Sequence, residues 1–420
     1  MSEDVPPSND SVEAGAEEVE EANLESGPYI QARTLGHLLY SRILSNMSFR
    51  IIYPFLPAVA RGLGVSLSQA SLLASVQGGV RMTAPLTGHL SDRYGRRRVM
   101  ESALLMLIIS TAMVFFTNRY AVALVAFAAI GLSRAIFDPT TQAYVGDKVP
   151  YAVRGQPFAI LSMSWALSWI IGVPISGFLI DRFGWSVPWG VISLFLVVAF
   201  VSLRIFVPKA ERKTTSDIRL NAFTWVRLLK FPHILAALFT GFGIVFAVEN
   251  IVIIYSAYLE NEFALSVVTI GVLSIVMGAA ELLAEGTSYL KTDRLGKKRS
   301  ILLGLLAFSI AAFILPWMSV NVVLSFVGFA LVFFCFEFTI VSFFPLMSEV
   351  VPEVRGTAIS MNVAGMGFAR LIAPIIATFL FQQAFDLTPN AMLTAATCLV
   401  VGFVAWRFLP DDKSHTSEQT

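Results

Sequence analysis

From about residue 35 to 408 the chain is a succession of apolar runs separated by short polar joints. Twelve runs can be drawn, at 35–60, 67–90, 99–117, 120–145, 157–181, 186–207, 233–258, 266–290, 300–318, 321–348, 357–384 and 389–408. Each is near the ~20 residues that carry an α-helix across a ~30 Å hydrocarbon core. No water reaches the backbone there, so the runs are expected to be α-helices, and none alternates like a barrel strand. The pattern predicts an all-α membrane protein of twelve transmembrane helices. Two stretches stand apart. Residues 1–30 hold nine acids and no Lys or Arg, so 1–34 is expected to be a disordered acidic tail. The longest joint, 208–232, is basic and holds Phe223, Trp225, Leu228 and Leu229, so part of it is expected to lie on the membrane surface. It divides the chain into six-helix halves at 35–207 and 233–408, followed by a tail at 409–420.

Composition narrows the class. Of the 420 residues 56% are hydrophobic and 14% charged, and the mean hydropathy is +0.71. A soluble domain has about 25% charged residues. A net charge of +1 excludes bulk attraction to nucleic acid. Cys335 and Cys398 lie in apolar runs and offer neither a disulfide framework nor a metal site. The polar, acidic N-terminus is not expected to be a cleavable signal peptide. Charge also sets orientation. Joints after the second, fourth, sixth, eighth and tenth runs carry eighteen basic residues, against Arg61, Arg119 and Arg182 on the opposite side. By the positive-inside rule both termini are expected in the cytoplasm, with the chain multi-pass in the cell (inner or plasma) membrane.

The halves repeat. Asp92-Arg93-x-Gly95-Arg96-Arg97-Arg98 returns as Asp293-Arg294-x-Gly296-Lys297-Lys298-Arg299, an offset of 201 positions. Arg154-Gly155 returns as Arg355-Gly356 at the same offset. Six helices, duplicated, is a transporter architecture. The stretch Gly88-His-Leu-Ser-Asp92-Arg93-Tyr-Gly95-Arg96-Arg97 matches the loop signature of the major facilitator superfamily, Gly-x-x-x-Asp-Arg-x-Gly-Arg-Arg, and lies between the second and third runs. The chain resembles that superfamily from about residue 35 to 408. Within it, the chain is similar to twelve-helix drug–proton antiporters and sugar-efflux permeases. Gly172-Val-Pro174-Ile-Ser-Gly177 approaches the antiporter Gly-Pro motif but lacks its adjacent Gly-Pro pair, and Arg134 is followed at +4 by Asp138-Pro139 where the family has Gly.

The resemblance implies two pseudo-symmetric six-helix bundles, with spans 1, 4, 7 and 10 lining a cavity and 3, 6, 9 and 12 facing lipid. It also implies that Gly88, Asp92, Arg93, Gly95, Arg96 and Arg97, with Asp293, Arg294 and Gly296, form a gating loop. Physically, Gly88 permits close helix packing, Gly95 a tight turn, and Asp92 a bond to a neighbouring helix N-terminus. Such a bond, formed on one side of a transport cycle, would act as a latch.

A charge deep in a span costs roughly 2.5–3.5 kcal/mol on insertion scales, so each needs a reason. Ten occur: Arg42, Arg50, Arg81, Arg134 and Asp138 in the first half, and Glu249, Glu281, Glu285, Glu337 and Arg370 in the second. Arg134 and Asp138 share a helical face, as do Glu281 and Glu285. Two neighbouring carboxylates cannot both ionise cheaply in a low dielectric. Asp138, Glu281 and Glu285 are therefore the candidate proton carriers. Arg50, Arg134, Glu249, Asn250, Glu337 and Arg370 are the candidate substrate contacts. Prolines 54, 57, 85, 174 and 374 are expected to bend their helices. Trp165 and Trp169 suit cavity lining and packing equally.

No metal constellation, cofactor motif, phosphate-cradling Gly loop or Ser-His-Asp set is present, so neither an enzyme nor an ATP-driven pump is expected. The expected function is proton-coupled export of a small organic molecule by alternating access, by a monomer in a lipid bilayer. An importer of a small organic anion, suited to Arg50, Arg81 and Arg370, is the alternative. A transport-dead sensor or an intramembrane lipid-handling enzyme would be readings from other classes.

Overall fold

The computed structural model describes residues 30–87, 90–150, 153, 155–208, 229–349 and 355–410. The acidic tail to residue 29, Gly88, most of the 208–232 joint, and residues 411–420 lie outside the described residues, as do the side chains of Asp92 and Asp293. Every regular element among the described residues is helical. Ten segments are long and apolar enough to cross a membrane. They are α3 (Arg96–Phe116), α4 (Tyr120–Lys148), α5 (Gly155–Phe183), α6 (Val187–Phe206), α7 (Pro232–Phe263), α8 (Val267–Thr292), α9 (Lys297–Met318), α10 (Val322–Met347), α11 (Ala358–Ala384) and α12 (Thr388–Phe408).

The first two runs are interrupted. Helix α1 is built from Ala32–Arg50 and Leu56–Leu63. Helix α2 is Leu67–Gly79 followed by a tight 3₁₀ turn, Val80–Thr83, and the short Ala84–Thr87. Proline explains both breaks. Its ring clashes with the carbonyl four residues back and it has no N–H to donate. For Pro54 that carbonyl belongs to Arg50, which instead accepts a bond from the Tyr53 amide at 3.1 Å. For Pro85 it belongs to Arg81, inside the 3₁₀ turn. In α5 a π turn, Ser168–Gly172, lies one residue before Pro174.

The duplication is written in the backbone. Six described residues have positive φ: Gly64, Gly95, Gly184, Ala264, Gly296 and Phe385. They form three pairs, 64 with 264, 95 with 296 and 184 with 385, at offsets of 200 or 201. Ser66 caps α2 by accepting from the Gln69 amide, and Ser266 caps α8 by accepting from the Thr269 amide. Arg97 Nη1 donates to the Val207 carbonyl past the end of α6 (2.9 Å), and Lys298 Nζ donates to the Leu409 carbonyl past α12 (2.7 Å). Both turns thus tie the third helix of a half to its last. Arg96 adds a bond to Asp147 of α4 at 3.0 Å and one to Ser91.

Helices α3, α6, α9 and α12 carry exposed apolar side chains such as Ile109, Leu194, Leu306 and Phe403. An apolar skin of this kind suits hydrocarbon, not water. The two halves meet along α2–α11 and α5–α8. Small residues make this approach possible, as expected in lipid. A Cβ on Gly177 or on Gly271 would lie 3.4 Å from the Cα of the other, and one on Gly367 would lie 2.7 Å from the Met82 nitrogen.

Bonds between the halves also join the end remote from the chain termini, called the far end below. Arg61 of α1 pairs with Glu260 of α7. Ser68 Oγ donates to Gln382 Oε1 at 2.6 Å, the Ser71 and Thr378 hydroxyls lie 3.0 Å apart, and Ser256 Oγ donates to the Tyr53 carbonyl at 3.0 Å. The far end is closed.

Candidate functional site

The ten intramembrane charges gather where the halves face each other, and most of them pair. Arg50 ends the first piece of α1. Its guanidinium crosses to α8 and grips Glu281 with two bonds, Nη1 to Oε2 at 3.1 Å and Nη2 to Oε1 at 2.8 Å. Trp169, in the π turn of α5, donates its indole N–H to Glu281 Oε1 at 3.1 Å. The Arg50 guanidinium also lies 4.5 and 4.9 Å from the ring centroids of Trp165 and Trp169. Arg50 is 7% and Glu281 1% exposed, so this fork-to-fork pair is shielded from solvent. A π turn shifts the facing of the residues around it, which turns Trp169 toward the pair.

A second pair closes nearby. Arg370 Nε of α11 lies 3.3 Å from Glu249 Oε1 of α7, and that oxygen accepts a bond from the Tyr53 hydroxyl of α1, also at 3.3 Å. Glu249 therefore reaches both halves. A third pair is confined to the first half. Arg134 Nε donates to Asp138 Oδ2 at 3.0 Å, and Arg42 Nε approaches Asp138 Oδ1 at 3.9 Å. The Arg134 guanidinium lies against Trp165 (4.0 Å to the centroid) and Phe49 (4.5 Å). Glu285 and Glu337 are half-buried and interact electrostatically with Glu281.

The structure thus brings Arg50, Arg134, Asp138, Glu249, Glu281, Glu285, Glu337 and Arg370 into one region. Asn250 is not part of it. Its amide donates to the Asn390 carbonyl at 2.7 Å and the Thr394 hydroxyl at 3.1 Å, while Asn390 donates back to Asn250. Fully buried between α7 and α12, it holds two helices together. Of the carboxylates at i, i+4, Glu281 is held by Arg50, while Glu285 makes neither an ion pair nor a hydrogen bond among the described residues and interacts with Glu281 and Arg50 electrostatically. Sequence reasoning missed the Tyr53 hydroxyl as a partner of Glu249 and Phe49 as a shelf for arginine. A usable signal was present. Arg50, Arg81 and Arg370 each stand four residues before a proline, at Pro54, Pro85 and Pro374.

The charges are distributed unequally. The first half contributes four arginines and one aspartate; the second contributes four glutamates and one arginine. Across a low-dielectric interior such complementary faces attract each other strongly. An all-helical fold in two related halves, with ten segments able to cross a membrane and paired charges at the seam, fits a membrane transporter.

The family model for the Major Facilitator Superfamily matches residues 38–353 and 237–420, and the chain belongs to this superfamily. It is 26% identical over 271 residues to the uncharacterized MFS-type transporter YwfA of Bacillus subtilis, covering 64% of this chain and 66% of that one. It is 24% identical over 369 residues to multidrug resistance protein 2 of Bacillus subtilis, covering 84% and 90%. Among solved structures, a D-xylose-proton symporter superposes with a TM-score of 0.74 over 90% of this chain and 97% of that one, at 16% identity.

Proposed function

We propose that the protein is a proton-coupled exporter of a small organic molecule, working by antiport in the cell membrane with both termini in the cytoplasm. The observation that carries this is the Arg50–Glu281 pair, which spans the halves beside the closed far end. Opening the far end requires the halves to separate, and the pair resists. Separating a buried pair while both charges remain leaves each uncompensated in the interior, which is strongly unfavourable. The ionised, empty protein is therefore held shut.

Two events release it. A proton on Glu281 removes the charge that Arg50 grips. Arg50 and Trp169 bond that carboxylate, and Glu285 and Glu337 interact with it electrostatically, so taking up a proton relieves repulsion among the three carboxylates. Alternatively, a substrate that engages Arg50 or Glu281 replaces one partner. A lock that opens to either key, without needing both, exchanges one for the other. With protons more concentrated outside, exchange drives the substrate out. Similarity to the multi-drug resistance efflux pump PmrA of Streptococcus pneumoniae supports this direction. Glu285 passes protons between Glu281 and the water on one side, Asp138 answers through Arg134, and Glu249, Glu337 and Arg370 line the substrate's path. The loop containing Gly88, Asp92, Arg93, Gly95, Arg96 and Arg97, with its repeat at Asp293, Arg294 and Gly296, is the gate at the terminal end.

Untargeted comparison of metabolites in cells and medium tests the reading, with wild type set against Glu281→Gln. Wild type is expected to deplete at least one compound inside and enrich it outside, and an uncoupler is expected to abolish the difference. Glu281→Gln is expected to show no gradient-driven depletion. Enrichment inside the cells, or export that survives the uncoupler, would contradict the proposal.

A further inference from the structure

The four arginines of the first half do not all find partners. Arg134 is fully buried, and only its Nε is bonded; Nη1 and Nη2 have no hydrogen-bond partner among the described residues. Arg42 Nε is likewise buried and unbonded, its approach to Asp138 being too long for a hydrogen bond. Arg81 is half-buried and makes neither an ion pair nor a hydrogen bond among the described residues. Its guanidinium interacts electrostatically with Arg370, Asp138, Tyr53 and Glu249.

The charge balance of this region follows. Arg42, Arg81, Arg134 and Arg370 face Asp138 and Glu249, with Tyr53 supplying a neutral hydroxyl. The ten charges of the seam balance as a whole, but the first half does not: with Arg50 taken by Glu281, its Arg42, Arg81 and Arg134 have Asp138 as the single seam carboxylate of their own half. A charged donor removed from water without an acceptor is costly, and guanidinium is built to grip a planar or tetrahedral oxyanion with two parallel bonds. The Arg134 guanidinium lies over the rings of Phe49 and Trp165, and its Nη edge is unbonded among the described residues. Arg81 stands in the 3₁₀ turn of α2 beside Gly367 of α11, at the seam that must shift as the halves rock.

We propose that Arg81 and the Nη edge of Arg134, with Arg370 adjoining, form a subsite for an oxyanion, and that the transported molecule carries a carboxylate or a phosphate. This rests on the reading of the seam as the transport path. An anion there compensates the excess charge of the first half. It also competes for the arginines that hold Asp138 and Glu249, which loosens the links that resist rocking.

The test is thermal unfolding of the purified full-length protein in detergent, at constant ionic strength. The probes are benzoate, phenyl phosphate and the uncharged benzamide. Benzoate or phenyl phosphate is expected to raise the midpoint by several degrees, and benzamide to leave it unchanged. Whichever anion shifts it further identifies the oxyanion. In Arg81→Gln the shift is expected to vanish. Arg81→Lys, which keeps the charge but not the fork, is expected to retain a reduced shift and covers the case in which the glutamine variant does not fold. Equal shifts with benzamide, no shift with either anion, or an undiminished response in Arg81→Gln would overturn the proposal. Binding is read here without a gradient or flux. Anion binding without export would therefore leave this subsite standing and sink the transport reading, and export confined to uncharged compounds would do the reverse.

Discussion

At the scale of single residues the Arg50–Glu281 pair decides most. Its two bonds, 2.8 and 3.1 Å, are short and nearly dry, so each partner depends on the other for solvation. Removing either alone strands a buried charge, and the structure predicts that Arg50→Gln and Glu281→Gln each lose about 3–5 kcal/mol of stability. The double variant loses both charges together and is expected to be more stable than the sum of the single losses allows, by at least ~1 kcal/mol. Thermal or denaturant unfolding of the four proteins checks this, and simple additivity would show that the pair does not act as a unit. The charges themselves were legible in the sequence, because ten ionisable residues in apolar runs stand out. Their partners were not. Glu281 and Glu285 read as a carboxylate couple by spacing, yet Glu281 is claimed by an arginine 231 positions away. Asn250 read as a cavity residue because it adjoins Glu249. Neighbours in sequence on a helix point about 100° apart, and that rotation sends Asn250 to α12 instead.

At the scale of the helices, close approach is bought with glycine. Gly131 of α4 packs on the backbone of α2: a Cβ there would lie 2.0 Å from the Gln77 carbonyl oxygen. Backbone cannot swing aside as a side chain can. Gly131→Ala is expected to destabilise the first half by roughly 1–3 kcal/mol through overpacking. Gly402→Ala of α12, whose nearest neighbour would be Leu305 Cβ at 3.9 Å, is expected to be neutral. The relative melting temperatures of the two variants test the packing, and equal effects would contradict it. Span limits were legible to within a few residues, since water-to-lipid boundaries set both the sequence pattern and the helix ends. Breaks inside spans were legible only as prolines. The run 35–60 is interrupted beyond Arg50, and 67–90 tightens into a 3₁₀ turn at Val80–Thr83. What the prolines also do is place Arg50 and Arg81 at the breaks, where helix carbonyls are already disturbed. The spacing of arginine to proline is legible in the sequence; the partner each arginine takes is not.

At the scale of the molecule, two related halves are pinned at one end and oppositely charged at their seam. The repeat was legible from two loop motifs at one offset, and the positive-φ pairs carry the same register through the backbone. Complementary seams were implicit in the unequal charge count of the halves, but only the structure shows Arg50, Tyr53 and Trp169 reaching for glutamates of the other half. In the proposed mechanism ionised Glu281 holds the far end closed and a proton releases it. Pulsed electron-spin distance measurements in lipid nanodiscs test this without knowledge of the substrate. Labels at Asn118 and Val320 report the far end, and labels at Tyr94 and Leu295 report the terminal end. The background would carry Cys335→Ala and Cys398→Ala. On lowering the pH, the wild-type far-end distance is expected to lengthen in a growing fraction of molecules while the terminal-end distance shortens. Glu281→Gln is expected to populate the long far-end distance at every pH. Distances that ignore pH in the wild type, or a Glu281→Gln protein that follows pH just as the wild type does, would contradict the account.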